Sequence, residues 1–199
     1  GDSVSRRDGR FTRLMIFIIW AIIFVLGIWI ISTYNGLTAL RLRVQNAWRQ
    51  IDVQLKRRYD LIPNLVETVK GYMQHEQDTL QKVIEARSQA MGSKGAKETA
   101  EAENVLNQSL GKIFALMENY PDLKANKNVL DLQEELTTTE NQITFARQYY
   151  NDLVTQYNTK QQVFPSNMLA GFFGFKPSEL FEVAETEKAV PRVNLSLTR

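Results

Sequence analysis

The amino-acid sequence predicts an all-α protein: an N-terminal single transmembrane helix, then an antiparallel four-helix bundle, then an irregular aromatic C-terminal tail. Three observations carry that prediction. Residues Leu14 to Ile31 form an apolar run of eighteen residues with no charge. Beyond it, apolar residues recur every three or four positions, the spacing of one helix face. Pro63, Pro121, Pro165 and the Gly92/Gly95 pair then cut the pattern into segments. The boundaries that follow are a cytoplasmic tail at 1–13, a transmembrane helix at 14–33, an extracytoplasmic helical bundle at 34–163 and an aromatic tail at 164–199.

The first element spans a bilayer because of its length. A hydrocarbon core of about 30 Å needs about 20 helical residues at about 1.5 Å each. Ser32, Thr33 and Tyr34 extend the run to the interface, where Trp29 and Tyr34 suit the headgroup level. A cleaved signal peptide is the competing reading. Its apolar core is usually about 7–15 residues and ends in a small-residue cleavage site, which is missing here. Arg6, Arg7, Arg10 and Arg13 precede the span, and an uncharged segment follows it. Excess Lys and Arg marks the cytoplasmic side, so the N-terminus is expected inside the cell and the rest outside.

The second element follows without a break. Leu37, Leu40, Val44, Ala47, Trp48, Ile51, Leu55 and Tyr59 form a seam, with Arg43, Arg49 and Lys56 mostly opposite. Asp60 can cap a new helix and Pro63 fits its first turn. A hairpin at Asp60–Pro63 is therefore favoured over one kinked helix, although the apolar phase continues through Leu65, Val66 and Val69. The preference rests on length. Helices of roughly 25, 30, 24 and 38 residues pack as an up-down-up-down bundle, whereas one of roughly 58 residues would extend about 87 Å with nothing as long to cover it. Met91 to Gly95 is the clearest loop. The third stripe uses Leu106, Leu110, Ile113 and Met117. The fourth is coiled-coil-like: Val129, Leu132, Leu136, Ile143, Ala146, Tyr150, Leu153 and Tyr157, with polar Thr139 in the one gap. Such a residue can set register or partner choice. Phe164-Pro165 ends it. The tail, with five phenylalanines from Phe164 to Phe181, is expected to pack over the bundle base, or else to touch lipid or a neighbouring subunit.

Composition excludes several function classes. The 199 residues carry a net charge of +2, which the first thirteen residues account for. The outer region is thus near neutral, which argues against a nucleic-acid partner. There is no cysteine and one histidine, His75. Thiolate and multi-histidine metal sites are excluded within one chain. His75-Glu76 opens like a zinc-protease motif, but Gln77-Asp78-Thr79 supplies no second histidine. Gly171 to Gly174 lacks the Lys-Ser/Thr of a phosphate loop. The charged candidates near the seams are Arg57, Arg58, Asp60, Glu67, Arg87, Glu140 and Arg147. They are expected to be solvated or rim ion pairs, with a ligand site between helices as the sharper alternative. No catalytic, cofactor-binding or metal-binding residue is assigned, and no cofactor is expected.

Tyr34-Asn35-x-Leu37 and the run from Ala47 to Glu76 resemble the LemA family. So do Glu140-Asn141-Gln142-Ile143, Ala146-Arg147, Tyr150-Asn151, Tyr157-Asn158, Phe164-Pro165 and GFFGFKPSELFEV. The resemblance covers about residues 34–195. It implies a single-pass membrane protein with an extracytoplasmic antiparallel helical bundle, considered alongside membrane proteases and envelope stress, with no catalytic residues to carry over.

The expected function is a membrane-anchored, non-enzymatic scaffold or adaptor in the cell (inner) membrane. Its expected partners are the lipid bilayer, further copies of itself as a homo-oligomer, and another membrane protein such as a protease. The alternative is an extracytoplasmic sensor or ligand-binding bundle acting through a partner membrane protein.

Overall fold

The structure, a computed structural model, describes the backbone of residues 2–182 and side chains from Arg13 onward. The predicted extended end, 189–199, lies outside the described residues, as do the side chains of Arg6, Arg7 and Arg10. Every regular element among the described residues is helical: α1 (Asp2–Lys70), α2 (Gln77–Gly92), α3 (Gly95–Met117), α4 (Pro121–Lys124), α5 (Lys127–Gln162) and α6 (Ser166–Phe172). A single 3-10 turn, Gln74–Glu76, precedes α2.

The hairpin expected at Asp60–Pro63 is absent. Helix α1 runs through Pro63 to Lys70, and the chain turns at Gly71–Met73 instead, with Met73 fully buried there. A helix of roughly 58 residues would have run on through residues 77–92, and the chain turns before them. Between Tyr34 and Lys70 the helix has about 37 residues, about 55 Å, and α5 with its 36 residues is as long.

Pro63 is tolerated for a local reason. A helical N–H at position 63 would donate to the carbonyl of Tyr59, and proline has none. Arg87 on α2 fills the vacancy, its Nε donating to the Tyr59 carbonyl oxygen at 2.6 Å. Arg87→Leu is therefore expected to cost about 1–3 kcal/mol, the range for a buried acceptor left unpaired. In a Pro63→Ala background, where residue 63 supplies its own N–H, that cost should mostly vanish. Equal costs in both backgrounds, measured by chemical denaturation, would refute the compensation.

The described chain divides into two compact units. The first comprises residues up to 45 together with 155–178. It holds the apolar run, whose large side chains are largely exposed, from Ile30 at 37% to Phe17 at 75%. This helix is long and apolar enough to cross a membrane. Its most apolar window has a mean hydropathy of 3.0, and none of it is buried within the protein. Past the run, Thr33 and Leu37 become buried. The tail turns out to be partly regular: after a break at Val163–Pro165 it forms α6. The Asn158 side chain then holds the chain beyond it, accepting from the Ser178 amide at 2.9 Å and donating to its carbonyl at 2.8 Å.

The second unit comprises 46–154 and residues from 179 onward. Its core follows the predicted seams: Ile51, Leu65 and Val69 on α1, Val83 on α2, Leu106 and Ile113 on α3, and Ile143 on α5 are all at most 2% exposed. Helices α2 and α3 pack on each other across a two-residue connection, where Gly95 takes a φ of +79° that favours glycine. Between α1 and α5, the Trp48 ring meets Tyr150 at 5.5 Å and Arg57 meets Glu135 at 2.8 Å; just beyond α1 and just before α5, the Asn126 side-chain amide donates to the Tyr72 hydroxyl at 3.3 Å. Thr139 is buried as its seam position requires, but its hydroxyl donates to the Glu135 carbonyl of its own helix at 2.8 Å. The tail joins this unit at Phe181, which is 1% exposed. The Asn151 side chain pairs with both the N–H and the C=O of Phe181, and the Tyr150 hydroxyl donates to the Glu179 carbonyl.

Candidate functional site

A buried charged cluster sits in the second unit. Arg58 occupies a seam position of α1, one in the sequence Ile51, Leu55, Arg58, Ile62, Leu65, Val69. That spacing points its side chain inward, and only 5% of the side chain is exposed. Helix α3 does the same with an acid: Thr99, Glu103, Leu106, Leu110 and Ile113 form its seam, and Glu103 is 2% exposed. Arg58 Nη1 lies 2.9 Å from Glu103 Oε2 and 2.7 Å from Glu140 Oε2 on α5. The first contact is a directed hydrogen bond. The second is a close Coulombic contact, since Glu140 Oε2 has no hydrogen bond of its own. Arg58 Nη2 donates to Asn107 Oδ1. The Tyr59 hydroxyl donates to the other Glu103 oxygen at 2.6 Å.

Arg147 adds a second cation. Its guanidinium stands 4.6 Å above the Phe181 ring and interacts electrostatically with Glu140 and Glu103. Two cations and two anions therefore balance. Burial sets the protonation behaviour. It pushes the Glu103 carboxyl above the ordinary carboxylate range, with Arg58 and the Tyr59 hydrogen bond pulling the other way. Burial, with the Glu103 charge beside it, pushes the Tyr59 hydroxyl far up, so the phenol stays protonated. Burial lowers the Arg147 guanidinium, against the pull of the two glutamates. The phenol is held as a donor to Glu103, and Arg58 is engaged by Glu103, Glu140 and Asn107 together. The arrangement fits a network that fixes which helix faces meet. Beside it lies a cavity of about 390 Å³ lined by Arg58, Asn107, Leu110, Phe114, Thr137 and Glu140.

The predicted charged candidates separate into two groups. Arg58, Glu140 and Arg147 come together, and Arg87 lies on the Tyr59 carbonyl. Arg57 pairs with Glu135 at the exposed surface, with side chains 52% and 41% exposed. Asp60, Glu67 and His75 are exposed. Sequence reasoning missed Glu103, Asn107 and the Tyr59 hydroxyl. The signal for Glu103 was available: a lone acid in an otherwise apolar or small-residue seam. Among the described residues, no group of three or more His, Asp or Glu side chains could hold a metal ion.

Comparison with known proteins places these features in context. The protein called LemA from Metamycoplasma hominis is 28% identical over 73% of this chain and 67% of its own length. Magnetosome protein MamQ 2 of Paramagnetospirillum magneticum is 23% identical, over 91% of this chain and 76% of its own. Magnetosome protein MamQ of Magnetospirillum gryphiswaldense is 23% identical, over 76% and 65%. None of these names states a catalytic activity. The sequence pattern of the LemA family matches residues 47–195, a stretch that contains Arg58, Glu103, Glu140, Arg147 and the paired Tyr-Asn dipeptides that hold the tail, and on that match the chain belongs to the LemA family.

Proposed function

We propose that this protein is a membrane-anchored, non-enzymatic scaffold or adaptor that self-associates through an outer antiparallel four-helix bundle of α1, α2, α3 and α5. The order of contacts supports the bundle. As the chain advances from Trp48 and Arg57 on α1 to Tyr72 in the turn after it, its partners fall back from Tyr150 to Glu135 to Asn126. The proposed layout is a cytoplasmic tail at 1–13, a span at 14–33, the bundle at 34–163 outside the inner membrane, and the tail at 164–199. The arginine excess before the span supports that direction.

One observation carries the scaffold reading. In the second unit an open groove of about 670 Å³ is lined by Val53, Gln54, Phe145 and Tyr149, among others. Val53 is 63% and Phe145 70% exposed, although both lie on helices whose opposite faces are core. Gln54 Oε1 is buried beside the groove without a hydrogen-bond partner. An exposed apolar patch of this kind supports an interaction surface. The partner is a second copy in the scaffold form and another membrane protein, such as a protease, in the adaptor form.

The test is the mass of the full-length protein in mild detergent. A discrete oligomer is expected, which Phe145→Glu shifts to the monomer. A monomeric wild-type protein would overturn self-association. The 390 Å³ cavity beside Arg58 favours a second reading, a ligand-binding bundle acting through a partner. A small molecule that raises the melting temperature of the wild-type protein, but not of a cavity variant such as Thr137→Phe, would support it.

A further inference from the structure

We infer that α6 is a second, interfacial membrane contact, seated in the headgroup layer of the same bilayer that the apolar run crosses. The inference rests on the membrane-anchored reading and concerns the first unit alone.

Helix α6 has two unlike sides. Ser166 and Ala170, four residues apart, are buried. The Ser166 hydroxyl is tied to the carbonyls of Lys160 at 2.7 Å and Val163 at 3.0 Å, which fixes the helix to the end of α5. The other side carries Met168 and Phe172, at 66% and 83% exposed, and Phe164 just before the helix at 79%. Met168 and Phe172 are four apart on the helix, so they fall on one side. Two large apolar side chains are thus held outward by a helix whose small residues do the inward packing, with a third, Phe164, exposed just before it.

The position of that face is set by Tyr34. Tyr34 follows Ile31 by three residues, a rise of about 4.5 Å past the end of the apolar run. The headgroup region adds roughly 5–8 Å on each side of the hydrocarbon core. The Tyr34 ring makes edge contacts with Phe173 at 4.9 Å and Phe175 at 5.7 Å, and Phe173 stacks edge-on with Phe172 at 5.1 Å. The aromatic cluster following α6 therefore lies level with the residue that marks the interface.

Charge agrees with this placement. From 32–45 and 155–178 the unit carries Arg41, Arg43, Lys160 and Lys176 and no acidic residue. A short segment with an apolar aromatic side, among basic residues, suits a surface of anionic headgroups. A water-facing surface offers no compensation for three exposed large apolar side chains.

The chain has no cysteine, so single nitroxide labels can be placed at will on the full-length protein in nanodiscs containing anionic lipid. Labels at Phe172→Cys and, separately, Met168→Cys are expected to be severalfold more accessible to oxygen than to a water-soluble nickel chelate. Ile22→Cys in the apolar run and Lys82→Cys on an exposed face of α2 provide the lipid and water references. If both α6 labels behave like Lys82→Cys while Ile22→Cys lies in lipid, the interfacial contact is refuted and the anchor stands. If both α6 labels are shielded from both reagents, a second protein copy covers the face, which also refutes it. A water-exposed Ile22→Cys would instead overturn the anchor reading.

Discussion

Arg58→Met is expected to destabilise the second unit by about 3–5 kcal/mol, the range for breaking a buried ion pair by removing one partner. The substitution keeps the aliphatic stem and removes the guanidinium. Glu103, 2% exposed, then loses its directed donor, and Asn107 loses another. Its carboxylate retains the Tyr59 hydroxyl alone among these close partners. Arg58→Met combined with Glu103→Leu should recover most of the loss, because a pair replaced by well-packed apolar groups is often neutral or better. At about 2–4 °C per kcal/mol for a chain of this size, the single variant should melt about 6–20 °C lower. A loss under about 1 kcal/mol would mean that the pair is solvated in solution. Glu140, with 37% of its side chain exposed, can turn to water, so Glu140→Gln should cost much less than Glu103→Ala.

Phe181→Ala should cost a similar amount, about 3–5 kcal/mol for a fully buried aromatic. The ring packs at 6.0 Å from Trp48 and lies beneath the Arg147 guanidinium, so truncation leaves a cavity and uncovers a cation together. Asn151→Ala removes only the two hydrogen bonds to the Phe181 backbone. At about 1 kcal/mol net for each bond, it should cost about 2 kcal/mol. A larger loss for Asn151→Ala than for Phe181→Ala would show that the tail is held by its backbone rather than by its ring. Equilibrium unfolding of the two variants side by side decides this.

The sequence carries the seams of this fold because they need only local spacing. Leu37 to Tyr59 could be assigned to one face from intervals of three and four, and burial follows those intervals. The continuous phase across Pro63 was equally visible, but the permission to continue was not. It comes from Arg87, 28 residues beyond the Tyr59 whose carbonyl it reaches, and spacing carries no information about a side chain that reaches another helix's backbone. Glu103 is an intermediate case. Its seam position was legible, yet an acid there gains meaning only once Arg58 is known to face it. Tyr150-Asn151 and Tyr157-Asn158 stand seven apart and so share a face. That they grip the tail depends on the path of the chain after Pro165. The irregular tail was expected because Phe164-Pro165 ends the fourth helix, which it does, and that leaves room for the seven residues of α6 beyond it.

The loan of one hydrogen bond from Arg87 to Tyr59 also orders events in time. While the chain is being made, the carbonyl of Tyr59 meets Pro63 first and finds no donor there. Until a donor arrives, the stretch of α1 around Pro63 is expected to act as a soft joint. Only after residue 87 has emerged, and α2 has folded back, is the joint filled and the rod made whole. Synthesis stalled before residue 87 should therefore leave a pliable stem where the finished protein has a stiff one.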